Sequence, residues 1–396
     1  MIEWIQTTLG ECCQIISGAT PSTSVETYWD GDVCWATPKD LSDLQGHFIS
    51  DTPRKLTKAG LASCAATILP PNSVLFSSRA PIGHTAINTV SMATNQGFKS
   101  LIPDPALLDA KFLLHWLRKN RSKLESLGVG ATFKEVSKAV VSKINISLPP
   151  LPEQRRIAAI LDKADALRTK RREALAQLDR LAQSIFVEMF GDPATNPKGW
   201  PWKPLGSIAM KFSDGPFGSN LKSEHYVESG VRVIRLQNIG VGNFNNNDRA
   251  FISPNHFERI IKHECLPGDV LVGTMGDPNL RACILPDYIP CAINKADCVQ
   301  IRPDPKFADA KFISALLNNP STEHLAQDLK HGQTRVRISM GSLRGLQVPI
   351  PPIHVQQEFA QRIRSLDLLR DAYRLARHEQ DNLFISLQHR AFRGEL

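Results

Sequence analysis

From Leu148 the chain runs Leu-Pro-Pro-Leu-Pro-Glu-Gln into a long charged stretch with a regular apolar stripe. Apolar residues recur at Ile157, Ile160/Leu161, Ala164, Leu167, Ala174/Leu175, Leu178, Leu181/Ala182 and Ile185, with Arg171 in the one skipped slot. Steps of three and four alternate and average about 3.5 residues, the coiled-coil period and not the 3.6 of a free helix. No Gly or Pro interrupts residues 153–190. The pattern predicts one helix of about 57 Å at 1.5 Å per residue. A helix of that length needs a partner to cover its stripe.

The partner lies in the same chain, because the second half repeats the first. Leu9-Gly10 recurs as Leu205-Gly206, and Val33–Leu41 aligns with Val231–Ile239. Pro71-Asn-Ser-Val-Leu75 aligns with Pro267-Gly-Asp-Val-Leu271, and Pro103-Asp-Pro105 with Asp109-Ala-Lys-Phe112 recurs as Pro303-Asp-Pro305 with Asp309-Ala-Lys-Phe312. Gly130-Ala-Thr132 recurs as Gly332-Gln-Thr334, and Leu148-Pro-Pro-Leu151 as Ile350-Pro-Pro-Ile353. The offset stays between 196 and 202, as small loop insertions would produce. Carried forward, it predicts a second helix over 356–392. There Phe359, Leu366, Leu369, Tyr373, Leu383 and Leu387 take the places of the first stripe, and Gln380 falls inside the seam. Two matching seams predict an antiparallel intramolecular coiled coil, and the repeat predicts a pseudo-two-fold arrangement. The helix-pairing residues expected on the first helix are Ile157, Ala164, Leu167, Leu178, Leu181 and Ile185.

The predicted order is a globular unit (residues 1–150), a spacer helix with its linker (151–198), a second globular unit (199–352) and a C-terminal spacer helix (353–396). Gly191–Gly199, rich in Gly, Pro, Asn and Asp, is a helix-stopping turn region. Short β-type runs are expected at 33–37, 73–77 and 143–148, and again at 231–236, 269–273 and 346–350. Helices are expected at 109–124 and 308–317. The fold class is therefore α+β, two small mixed units alternating with two long helices.

Composition narrows the function. With 396 residues, 42% hydrophobic and 22% charged, the chain is an ordinary multidomain globular protein. No apolar run reaches the eighteen residues that a membrane helix needs, and the N-terminus lacks a signal-peptide pattern, so a cytoplasmic protein with no membrane partner is expected. The net charge of +8 is compatible with a polyanionic partner without requiring one. None of the eight cysteines forms a C-x-x-C pair, so reduced, mostly buried thiols and no metal site are expected.

Catalytic signatures are missing. Asp104 followed by Asp109-Ala-Lys111 imitates a metal-nuclease pattern. The two carboxylates lie too close in sequence, however, and Asp109 opens a helix, where capping explains it. There is no P-loop, no Gly-rich cofactor loop after a strand, no Asn/Asp-Pro-Pro-aromatic motif and no H-E-x-x-H. No catalytic residue and no cofactor bound by this chain are expected. What remains is equipment for reading a duplex, since base edges are read by Arg, Lys, Asn, Gln, Ser and Thr on loops. The first unit offers Thr37, Lys39, Ser78, Arg79, Asn95, Gln96, Lys99, Thr132 and Lys134. The second offers Arg235, Gln237, Asn238, Thr274, Asn294, Lys295, Thr334, Arg335 and Arg337 at roughly aligned places. Frame residues repeat between the halves while most aligned polar residues differ, as recognition of two different half-sites requires. The alternative is a coiled-coil interaction adaptor that reads no DNA.

Several stretches together resemble the specificity subunits of type I restriction–modification systems. They are Leu148-Pro-Pro-Leu-Pro-Glu-Gln-Arg-Arg-Ile157, Gln183-Ser-Ile-Phe-Val-Glu-Met-Phe-Gly-Asp-Pro193, Ala391-Phe-Arg-Gly-Glu-Leu396, Gly130–Ser137 and Asn95-Gln-Gly-Phe98. The second copy departs at Pro351-Pro-Ile-His-Val-Gln-Gln357. The resemblance implies a non-catalytic subunit whose two target-recognition domains each read one half of a split, asymmetric double-stranded DNA site. The helix pair would set the gap and dock two methyltransferase subunits, with restriction/translocase subunits completing the complex. S-adenosylmethionine, ATP and Mg²⁺ would sit on those partners.

Overall fold

A computed structural model describes residues 4–44, 46–79, 81–130, 134–333 and 335–396. The chain forms two compact units, Met1–Arg172 with Ala376–Leu396, and Glu173–Leu375. The architecture is α+β. Two long helices, Leu151–Phe190 and Ile353–Ala391, accompany short strands and helices. The first unit takes the start of the first long helix and the end of the second, and the second unit takes the remaining halves.

In the first unit a five-stranded sheet runs in the order Cys13–Ser17, Lys99–Pro103, Val74–Phe76, Thr85–Asn88, Phe48–Ile49. Beside it, Trp29–Ala36 pairs in parallel with Met92–Thr94, Cys34 opposite Met92. Ile5–Thr8 pairs antiparallel with Asn145–Leu148, the strand that leads into the first long helix.

The second unit repeats these pairings. Ala209–Ser213 lies against Cys298–Pro303, Val231–Ile234 runs parallel to Ala292–Asn294, and Trp202–Pro204 pairs with Gln347–Pro349 ahead of the second long helix. The sheets differ in extent: here the five-stranded sheet runs in the order Tyr226–Val227, Ala250–Ile252, Val231–Ile234, Ala292–Asn294, Glu264–Cys265.

Helix starts are equally paired. Asp109 Oδ1 accepts the amides of Lys111 and Phe112 at 3.0 and 3.1 Å, and Asp309 does the same for Lys311 and Phe312. Both aspartates therefore satisfy orphan donors of a first helical turn. The helix expected over 109–124 breaks at Asn120 into Ala110–Lys119 and Arg121–Ser126.

Each unit has one main apolar core that takes in the long helices. In the first, Ile157, Ala158, Leu161, Phe384 and Ala391 join Leu113, Leu117, Val141 and Ile146. In the second, Phe186, Phe190, Phe359 and Ile363 join Phe312, Leu316, Val348 and Ile350. The helices run antiparallel within each unit. Arg168 Nε reaches Asp381 at 2.6 Å and Arg156 meets the Leu396 carbonyl at 2.8 Å in one; Arg370 reaches Asp179 at 2.9 Å while Phe186 packs on Phe359 in the other.

The predicted seam is only partly closed. Ile157 and Phe359 are fully buried, and Ala164, Leu178, Ile185, Leu366, Tyr373 and Leu387 are half-buried, as is Gln380. The other row is not covered: Leu167, Leu181, Leu369 and Leu383 remain 50%, 45%, 43% and 57% exposed. The cause is a shared apolar face. Near its ends each helix also packs into the core of a globular unit, so Ala158, Phe186 and Phe190, off the heptad row, are buried while part of that row stays open.

All eight cysteines are free thiols; burial pushes Cys283 and Cys298 up to about 12. No helix among the described residues is long and apolar enough to cross a membrane.

Candidate nucleic-acid interface

Backbone hydrogen bonds tie the polar loops of the first unit into one cluster. The strand ending at Ala36 stops because Thr37 turns its amide and hydroxyl onto Asp40, at 2.7 and 2.8 Å, starting the helix Pro38–Ser42. The Ala36 carbonyl accepts the Asn95 amide at 3.0 Å. The Gly97 carbonyl accepts the Ser78 amide at 2.7 Å, and the Ser78 carbonyl accepts Val136 at 2.9 Å. Four loops are thus joined edge to edge. Gly18 passes so close beneath them that a Cβ there would fall 2.0 Å from the Asn95 carbonyl.

The same joints recur in the second unit. The Arg235 amide donates to Asn238 Oδ1 at 2.8 Å, and the Ile234 carbonyl accepts Lys295 at 2.9 Å. The Thr274 amide donates to the Asp297 carbonyl at 3.1 Å, and its carbonyl accepts Ile338 at 3.0 Å. Gly215 stands for Gly18, its Cβ position 2.3 Å from the Asn294 carbonyl.

On this frame the expected reading residues separate into groups. Lys39, Gln96, Lys134, Gln237, Arg335 and Arg337 are exposed. Thr37, Asn95, Arg235 and Lys295 are half-buried at the loop surface. Thr132 and Thr334 lie outside the described residues. Ser78, Asn238, Thr274 and Asn294 are at most 2% exposed, and all four serve the frame. Ser78 Oγ donates to Gly97 O, Thr274 Oγ1 to Asp297 O, Asn294 Nδ2 to Cys298 O, and Asn238 Nδ2 to Asn245 O and Asp248 O. A short polar side chain next to a turn is taken up locally before it can reach outward.

Lys99 is also buried, donating to Glu135 Oε1 at 3.0 Å, while Arg79 grips Oε2 at 2.6 Å. Burial raises the Glu135 pKa, but the two cations outweigh it and hold the carboxyl below its usual range. In the second unit Asp248 plays the corresponding part, gripping Arg235 through both carboxylate oxygens. Lys295 donates to the Tyr226 hydroxyl at 3.2 Å, and Gln96 accepts from the Thr20 hydroxyl. Arg337 stands 4.0 Å from Asp297.

Sequence reasoning missed these counter-carboxylates and the loop Gly242–Arg249, which carries Asn243, Asn245, Asn246 and Asn247 along with Asp248, the partner of Arg235. The asparagine run is a visible signal: amides with both donor and acceptor at a loop tip match base-edge chemistry.

One further cluster lies in the first unit. His47, His115 and Asp162 bring ligand atoms within 4.8 Å of one another, a spacing that could hold a metal. The charges do not favour one. Asp162 already accepts from His115 at 2.7 Å and Lys111 at 2.9 Å, and Arg118 stands 4.0 Å from neighbouring Asp165. A dication would add to a place already rich in cations.

Residues 1–178 match the family described as Type I restriction modification DNA specificity domain. The chain is 31% identical over 258 residues to the type I restriction enzyme MjaIX specificity subunit of Methanocaldococcus jannaschii, covering 61% of this chain and 59% of that protein. It is 23% identical to the EcoKI specificity subunit of Escherichia coli K12 over 81% of this chain and 73% of that one. The matched stretch thus spans less than two thirds of the first relative's length. In fold, the chain matches a type I R-M chain, solved in work on complex assembly and conformational transition of that system. The TM-score is 0.60 at 20% identity, over the full length of both.

Proposed function

We propose, from the likeness of residues 1–178 to the type I restriction modification DNA specificity domain and of the chain to type I specificity subunits, that this protein is the sequence-reading, non-catalytic subunit of such a complex. Each unit reads one part of a bipartite, asymmetric site in double-stranded DNA. The helix pair sets the gap and docks two methyltransferase subunits, and restriction/translocase subunits complete the assembly. S-adenosylmethionine, ATP and Mg²⁺ belong to those partners.

The observation that carries this reading is the contrast between frame and surface. The loop joints repeat bond for bond, yet Thr37 stands where the second unit has Arg235, and Lys39 where it has Gln237. A repeated scaffold with unlike side chains at its open face suits two unlike half-sites read from base edges.

The test is an exchange of residues 1–150 for the corresponding part of another specificity subunit, assembled with methyltransferase. Methylation mapping is expected to show one half-site changed and the other kept. A change in both, or in neither, refutes modular reading. Titrating salt against binding of the assembled complex to random duplex DNA gives the second check, and a flat response refutes DNA binding.

A further inference from the structure

Arg235 is held in a fixed pose at the loop surface of the second unit. Its Nε donates to Asp248 Oδ2 at 2.8 Å and its Nη2 to Oδ1, so the carboxylate lies along one side of the guanidinium. Guanidinium has five N–H donors in a fixed plane. Two are used, leaving both Nη1 hydrogens and the second on Nη2, a fork at the far end.

The support beneath the fork is rigid. Asn238, fully buried, accepts the Arg235 amide at 2.8 Å and donates to the Asp248 carbonyl at 2.8 Å, fixing both partners of the ion pair from one side chain. Arg232 donates to the same carbonyl at 2.6 Å. Arg281 pins the following turn by donating to the carbonyls of Ile239 at 2.8 Å and Leu236 at 3.3 Å. The Tyr226 ring lies 5.9 Å from the guanidinium carbon, with Lys295 on its hydroxyl. Yet the Arg235 side chain keeps a quarter of its surface open, and exposed Gln237, Asn247 and Arg249 are near it in sequence or on the Asp248 loop.

Arg302 pairs with Asp269 through Nε and Nη2 in the same way, so what sets Arg235 apart is its place on the polar loop surface, where buried Asn238 holds both partners of the pair. An end-on arginine fork of fixed direction matches two acceptors on one base edge. In the major groove that edge is guanine, through O6 and N7. At the aligned position the first unit has Thr37, which spends its hydroxyl on Asp40.

We propose that Arg235 reads one guanine in the half-site of the second unit, and that Asp248 is its positioning residue. This rests on the DNA-reading function proposed above. The test uses the full chain assembled with its methyltransferase, a randomised duplex library, and wild type, Arg235→Lys, Arg235→Ala and Asp248→Asn. Wild type is expected to show a G·C pair in the half-site that does not move with residues 1–150. Arg235→Lys keeps a charge for phosphate but loses the fork. It should relax that one position by about 5- to 150-fold, leaving other positions and the salt slope unchanged. Asp248→Asn should relax the same position with no loss of thermal stability large enough to affect the other half-site.

A uniform loss across all positions with Arg235→Ala assigns the side chain to phosphate and overturns the inference. So does Asp248→Asn with discrimination intact, or a wild-type half-site with no G·C pair. A wild-type complex without any sequence preference overturns the DNA-reading function itself, and this inference with it.

Discussion

Gln154 and Gln356 make the same three hydrogen bonds in the two units. Gln154 Oε1 accepts the Asp109 amide at 2.9 Å while Nε2 donates to the carbonyls of Leu107 and Pro149, both at 2.8 Å. Gln356 accepts Asp309 at 2.9 Å and donates to Phe307 at 3.0 Å and Pro351 at 2.7 Å. Both are fully buried in the first turn of a long helix. Each stitches that helix to the loop before the capped helix of its own unit.

Replacing Gln154 by Ala strands one buried amide and two carbonyls. The expected cost is about 2–4 kcal/mol, since a buried group left unsatisfied costs about 1–3. Urea unfolding should show the loss, and hydrogen exchange should show the Asp109 amide losing protection. Exchange at Asp109 as slow as in wild type would show that the amide has another partner.

The long helices were legible because no Gly or Pro interrupts 153–190 and the apolar spacing is helical. The structure places the first at Leu151–Phe190. The repeat was legible because its punctuation, such as Pro71 and Pro267 or Asp109 and Asp309, is local. The role of Gln154 was not, because a glutamine in a charged helix start reads as solvated until the loop it bonds is known. Ser78 and Lys39 looked alike as loop polars. Only the nonlocal joint to Gly97 shows that one is frame and the other surface. Leu167 and Leu383 follow the heptad, but a helix that divides its face between a partner and a core does not bury a heptad evenly.

His47 has a carboxylate on each ring nitrogen: Asp162 at 3.3 Å from Nδ1 and Asp165 at 3.0 Å from Nε2. Only imidazolium donates from both. Burial lowers its pKa, but the bonds to Asp162 and Asp165 more than offset that and leave it above the ordinary 6.5. His115, Lys111, Arg118 and Arg168 face the same carboxylates. A folded pKa above the unfolded one gives stability that is complete below about 6.5 and fades as pH rises through the folded value. His47→Asn should therefore lower the melting temperature clearly at pH 6, by the equivalent of about 1–2 kcal/mol, and less at pH 9. His115 works oppositely: burial lowers its pKa, so its protonation opposes folding in acid. Asp165, held at about 2, keeps its contribution above the ordinary carboxylate range and loses it as pH falls toward 2. An equal effect of His47→Asn at pH 6 and pH 9 would mean the ring is neutral.

Glu135 pairs with two cations of the loop frame, exposed Arg79 and buried Lys99. Glu135→Gln leaves Lys99 buried without its carboxylate, at an expected cost of about 1–3 kcal/mol. Because the Glu135 pKa is lowered, that contribution is present above its ordinary value of 4.5 and lost below it, so the variant should approach wild type in acid. The same change adds one net positive charge to the loop surface. Non-specific duplex binding should tighten, and its salt slope should steepen by up to about 1. An unchanged slope would place Arg79 and Lys99 away from the phosphates.

The final prediction separates a packed end from an open seam. Phe359 is 1% exposed and touches Phe186 and Phe190 with ring centroids 5.7 and 5.2 Å apart. Phe359→Ala removes a buried aromatic from a set of facing rings, and about 3–5 kcal/mol should be lost. Leu369 and Leu383 occupy seam positions of the same helix but are 43% and 57% exposed. Truncating either should cost under about 1 kcal/mol, because little area leaves water at those positions. Denaturant titration of the three variants checks the ranking. If Leu369→Ala and Leu383→Ala cost as much as Phe359→Ala, the two helices close on the full heptad in solution, and the half-exposed row is part of a continuous coiled coil.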